Sequence, residues 1–188
     1  MFNFLCKLFG NGLDWQGLVS MRTFTKNQTD YRDFLDETQT IIDNPKTALE
    51  FIRKQMTYKK EAKDAWISAQ RSLLKKEGDC EEHAFVLASV LINAKKDARV
   101  CIGYLRGKGH AWVLYFDKKN RPYVLDAAVK EPMWRAELVQ GYEPILSFDR
   151  SMFYTHAKEE KIQAFMLGKI ILPTGRTWFY GKNSNSNS

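Results

Sequence analysis

Gly78-Asp79-Cys80-Glu81-Glu82-His83-Ala84 leads straight into an apolar helical stripe formed by Cys80, Ala84, Leu87, Ala88 and Leu91. That spacing predicts a helix with Cys80 on its buried seam. Asp79 suits the N-cap, and Glu81 and Glu82 suit the first turn. Cys80 therefore falls where free N–H groups and the positive end of the helix dipole favour a thiolate. A thiolate attacks carbonyl carbon, so the stretch points to a nucleophilic site if a base and a carboxylate reach it.

Working outward, 31–42 carries apolar residues at Tyr31, Phe34, Leu35, Ile41 and Ile42 and reads as a helix. Asn44-Pro45 ends it and starts a second helix, with proline at N1 and Ala48, Leu49, Phe51, Ile52 and Met56 inward. A third pattern runs over 61–75, through Ala62, Ala65, Trp66, Ala69 and Leu73, and stops at Lys76-Glu77-Gly78. Gly78 suits a C′ position or a tight turn.

After Asn93 the period changes to two. Residues 99–105, 110–116 and 122–126 alternate and favour β-structure, which predicts a three-stranded antiparallel core. Asp117-Lys118-Lys119-Asn120 is turn chemistry. A loop at 117–119 would pair His110 directly with Asp126. A loop at 118–120, with Asn120 as the bulge residue, would set Trp112 opposite Asp126 and His110 diagonal to it on the same face. Either register puts an imidazole beside a carboxylate. A two-residue loop would place them on opposite faces.

Elsewhere the pattern is weak. Residues 1–28 read as an irregular lead-in, 29–180 as a single domain and 181–188 as a disordered tail. Residues 127–150, with Pro132, Gly141 and Pro144, read as mostly loop. Residues 151–166 fit strand or helix, and 169–172 and 177–180 read as short strands.

The 188 residues carry a net charge of +7, and the basic residues are scattered as pairs such as Lys59-Lys60 and Lys95-Lys96. Scattered pairs read as solvated faces and disfavour a nucleic-acid partner, and no nucleic-acid motif accompanies them. Cys6, Cys80 and Cys101, odd in number and irregularly spaced, argue for a reducing compartment. Residues 1–10 are apolar but too short to span a bilayer. They read as a packing segment, with membrane-surface contact as the sharper alternative. The expected location is cytoplasmic; a virion or another assembly stays open. Cys80-x-x-His83 is half a zinc motif without a second Cys/His pair, and no metal is expected. His156 reads as structural, and Trp112 as either a shield for the imidazole or plain core.

Together the cysteine block, Gly109-His110-Ala111-Trp112-Val113 and Tyr123-Val124-Leu125-Asp126 resemble the three signature blocks of the transglutaminase-like superfamily. Asp64-Ala65-Trp66 and Leu74 resemble the lead-in of bacterial transglutaminase-like cysteine proteinases. The resemblance covers about residues 60–130. It implies an α+β, papain-like core: N-terminal helices and a Cys-bearing helix packed on an antiparallel sheet that supplies His and Asp. It also implies acyl transfer through a thioester, as in proteases, crosslinking enzymes, deamidases and amidases. Some members are silent binding modules.

The expected machinery is Cys80 as nucleophile, His110 as general base and acid, and Asp126 as orienter. The Cys80 backbone N–H would form half of an oxyanion hole, with Gln70 or Trp66 as second donor. The expected substrate is a protein or peptide amide or isopeptide, with no cofactor. Hydrolysis is favoured over crosslinking because no calcium-loop pattern is present. The competing expectation is an inactive interaction or structural module of a larger assembly.

Overall fold

The computed structural model describes residues 34–35, 40–60 and 66–157. The expected readings for 1–28, for 158–166, for the strands at 169–172 and 177–180, and for the tail lie outside the described residues.

Three helices are described. Helix α1 spans Pro45–Gln55 and begins as its sequence predicts. Pro45 fills the first turn, and the Asn44 side chain accepts from the N–H groups of Lys46 and Thr47 at 3.0 and 3.1 Å. Helix α2 is only Ala69–Lys75, shorter than the expected 61–75. Residues 66–68 run straight into it without helical structure. Of the helix expected at 31–42, Phe34 and Leu35 lie in a 3-10 turn and 40–42 are irregular.

Helix α3, Cys80–Asn93, is the centre of the molecule. Nearly every residue from Cys80 to Leu91 is buried, as expected of a helix wrapped on all sides. Phe34 and Trp66 pack on Phe85 with ring centroids 5.2 and 5.4 Å away.

One side of α3 lies on a six-stranded antiparallel sheet. Its strands are β3 (Asp97–Leu105), β4 (Lys108–Phe116), β5 (Pro122–Leu125), β6 (Trp134–Arg135), β7 (Tyr142–Phe148) and β8 (Phe153–Thr155), in spatial order 6-5-4-3-7-8. The three expected strands form the middle of this sheet. Residues 127–150, expected to be mostly loop, supply β6 and β7. Strand β7 carries a bulge: the register slips between Ile102, which pairs with Leu146, and Gly103, which pairs with Pro144, leaving Ile145 as the extra residue. Gly103 has to lack a side chain, because a Cβ there would fall 2.0 Å from the Glu143 carbonyl oxygen.

Ala111, Val113 and Leu125 face α3, whereas Trp112, Leu114, Phe116, Val124 and Tyr142 form a second core on the far side of the sheet. Alternation along β4 puts the His110 ring on that far side, beside Trp112.

A small parallel pair, β1 (Thr57–Tyr58) and β2 (Glu77–Gly78), closes off the head of α3. The left-handed residue that ends α2 is Lys76 (φ 57°) rather than Gly78. Gly78 serves close packing: a Cβ would sit 2.5 Å from the Glu82 Cβ.

Candidate active site

The head of α3 is fixed by a capping box. The Asp79 side chain accepts from the Glu81 N–H at 3.2 Å, and Glu82 Oε2 accepts from the Asp79 N–H at 3.1 Å. The other Glu82 oxygen accepts from the Ile67 N–H at 3.2 Å, tying the preceding segment to the cap. Burial and the neighbouring Asp79 carboxyl push Glu82 up to about 8.

Cys80 is the first residue of α3 and is only 8% exposed. Its sulfur has two polar contacts. The thiol donates to the Glu81 carboxylate at 2.9 Å, and the Ala111 N–H donates to the sulfur. The expected thiolate is not what these surroundings favour. Burial first, and then the Glu81 charge and its hydrogen bond, push the thiol well up; Asp79 adds to this, and only the Ala111 N–H opposes it. The helix dipole is outweighed by a full negative charge in contact with the sulfur. The sequence assigned Glu81 only to the dipole.

The Ala111 N–H is available for a physical reason. Leu105 and Lys108 close a two-residue turn, so Ala111 occupies a position whose N–H points away from β3, toward the side of β5. Strand β5 ends at Leu125, opposite Val113, and leaves that N–H unclaimed by the ladder.

The β4–β5 hairpin adopts the second of the two expected registers. Phe116 pairs with Pro122 and Val113 with Leu125, and Asn120 takes φ 57° in the 118–120 loop. Carried one residue further, this register sets Trp112 opposite Asp126. His110 Nε2 then donates to Asp126 Oδ2 at 2.6 Å. Asp126 is 2% exposed. Its Oδ1 accepts from the Ala128 N–H at 3.0 Å, and its Oδ2 also accepts from the Tyr142 hydroxyl at 2.8 Å. Arg53 on α1 clamps the segment beyond it, donating to the carbonyls of Asp126 at 2.7 Å, Val129 at 2.5 Å and Glu131. Trp112 is wholly buried against His110 and Tyr142, so it is core and shield at once.

The structure thus brings Cys80 to the residue that follows His110, and bonds His110 to Asp126. The two expected oxyanion side chains lie elsewhere in character. Trp66 is packed edge-on to Phe34 and Phe85, and Gln70 is exposed on the first turn of α2. His83 hydrogen-bonds the backbone of Asp79 at 2.7 Å and of Met56. Its ring lies 6.0 Å from that of Tyr58, and burial lowers its pKa. It anchors β1 to α3 rather than completing a zinc half-site. Tyr58, half exposed, stands in the field of Cys80, Asp79 and Glu81, which together with burial raises its phenol; no local motif marks it. Among the described residues, Asp79, Cys80 and Glu81 form the one set with donor atoms close enough for a metal ion, within 4.8 Å of one another. His156 is buried with its Nε2 2.7 Å from the Ser147 hydroxyl, a structural pair as expected.

A family model described as the CEP76 peptidase-like domain matches residues 64–142. Centrosomal protein of 76 kDa from Xenopus tropicalis is 30% identical over 82 residues, covering 39% of this chain, and the human protein matches to the same extent. The match spans only 12% of the length of these relatives. The zebrafish (Danio rerio) counterpart is 38% identical over 52 residues, 27% of this chain and 8% of its own. Legionella pneumophila LapG is similar in structure, with a TM-score of 0.52 at 16% identity. The similarity covers 80% of this chain and 96% of LapG. Its calcium-bound form gives the same TM-score over 73% and 85%. No described helix is long and apolar enough to cross a membrane. With its helices packed on an antiparallel sheet, the chain has a transglutaminase-like, papain-like fold similar to that of LapG.

Proposed function

We propose that this chain is a thiol-dependent acyl-transfer enzyme, a cysteine peptidase or amidase acting on peptide or isopeptide amides. The observation that carries the reading is the meeting of Cys80 with β4 one residue beyond His110, whose Nε2 is held by the buried Asp126. In this reading Glu81 leaves the sulfur, which swings from the Ala111 N–H round the edge of β4 left open by the end of β5, and His110 Nδ1, the ring nitrogen that Asp126 does not engage, takes the thiol proton. The sulfur adds to the carbonyl carbon. The C–N bond then breaks as the imidazolium gives its proton to the departing amine, leaving a thioester. Water, deprotonated by the same imidazole, attacks the thioester, releases the acid and restores the thiol. The Cys80 N–H at the head of α3 steadies the oxyanion. Gln70 or Trp66 would supply the second donor. Two free, buried cysteines, Cys80 and Cys101, fit the reducing cytoplasm. Hydrolysis is preferred to transamidation.

A second reading, a silent interaction module, is supported by two observations. The Glu81 carboxylate lies on the sulfur, and the sequence relatives are centrosomal proteins.

Iodoacetamide at pH 6, read by mass spectrometry site by site, separates the two. Faster modification of Cys80 than of Cys6 and Cys101, lost in His110→Ala, supports the enzyme. Slow modification that is equal at all three sites and indifferent to His110 supports the module.

A further inference from the structure

Asp126 Oδ2 receives two donors at once: His110 Nε2 at 2.6 Å and the Tyr142 hydroxyl at 2.8 Å. Tyr142 comes from β7, on the other side of β3 from β4 and β5, and is brought there by its pairing with Leu105 at the end of β3. The approach is well supported. Gly141 takes φ 84°, and its carbonyl accepts from the Arg106 N–H at 2.7 Å, anchoring β7 to the turn between β3 and β4. The Tyr142 ring stands edge-on to Trp112 at 5.2 Å and 6.3 Å from the His110 ring. The residue is 7% exposed, so water does not compete freely for its hydroxyl.

We propose that Tyr142 is a positioning residue of the Cys80–His110–Asp126 site, acting through Asp126. The inference rests on the acyl-transfer reading above. Its physical content is that a buried carboxylate with only one other donor besides the imidazole could turn about its Cα–Cβ bond and so lose its hold on the ring. The Tyr142 hydroxyl fixes the oxygen that faces Nε2. Burial and Asp126 itself keep the phenol protonated, so it remains a donor wherever such a site would work.

The test is Tyr142→Phe in the full chain, which keeps the ring and its packing and removes only the hydroxyl. The rate of Cys80 alkylation by iodoacetamide is followed from pH 6 to pH 9, with thermal melting as a control. The expected result is a loss of about 3- to 10-fold at pH 6, shrinking toward pH 9 as hydroxide competes with the imidazole for the thiol proton. In the Asp126→Asn background the same substitution should add nothing, because both changes act on one carboxylate. Tyr142 is reduced to a packing residue if the Tyr142→Phe profile superposes on that of the parent, or if the loss persists unchanged in Asp126→Asn. Should the melting temperature fall sharply, the His110 ring N–H resonance read below the transition decides: an unmoved signal overturns the proposal, a shifted one upholds it. Failure of the underlying reading looks different. In that case the parent protein itself shows no preference for Cys80 and no response to His110→Ala.

Discussion

The Glu81 carboxylate lies 2.9 Å from the Cys80 sulfur, the adjacent residue in sequence and the head of the same helix. A thiolate and a carboxylate cannot share that distance without a cation or proton between them. The resting site therefore holds a neutral thiol. Replacing Glu81 with Gln removes the charge and keeps the shape. We expect the pH midpoint of Cys80 alkylation to fall by about one unit or more, raising the rate near neutral pH by about 10-fold. An unchanged midpoint would show that burial alone sets the thiol.

Glu82 gives a pH dependence of stability with a definite sign. Its carboxyl is pushed up to about 8 by burial and by Asp79, from an ordinary value of 4.5. The folded state therefore binds this proton more tightly than the unfolded chain does. The contribution is fully present below about 4.5 and is lost as pH rises through about 8. Urea unfolding at pH 5 and pH 8 should show Glu82→Gln flattening the decline seen in the parent protein. A decline of equal steepness in both would place its origin in other groups.

Gly78→Ala tests the packing under the capping box. Its Cβ would meet the Glu82 Cβ at 2.5 Å and Cγ at 2.9 Å, and Glu82 holds both the Asp79 and Ile67 N–H groups. We expect a loss of about 1–3 kcal/mol in chemical denaturation. A loss below half a kcal/mol would mean that Glu82 can step aside at no penalty.

Arg53→Ala removes the clamp on the segment after Asp126. Three carbonyl groups lose a charged donor together. A destabilisation of about 1.5–3 kcal/mol is expected, with faster backbone amide exchange at 126–131. Exchange that speeds up equally over the whole sheet would point to general loosening instead.

What the sequence made legible is local. Asp79 and Glu82 announce the head of the cysteine helix because a capping box is a contact between residues three apart. Asn120 sets the hairpin register because a bulge residue in the left-handed region fixes loop length, and with it the face on which Asp126 falls. Strand β7 stayed hidden because Pro144 breaks the expected pattern. Its accommodation depends on Gly103, some forty residues away, where the missing Cβ makes room for the bulge. Tyr142 was invisible for the same reason, since only the return of β7 beside β3 brings it to Asp126. Glu81 misled because the dipole argument considers the helix end alone. The closest charge to the sulfur is this neighbouring side chain, and its direction is a matter of rotamer rather than spacing.

Strand β5 halts at Leu125, two residues short of where its ladder with β4 would reach Ala111. Sheets ordinarily hide such an unfinished rung, since an open backbone donor invites unwanted company. Here the vacancy is taken by a sulfur atom. The length of a strand, not only the identity of its residues, thereby becomes part of the reactive centre. Lengthening β5 by two residues, to Ala127 opposite Ala111, would evict the thiol without replacing a single signature residue.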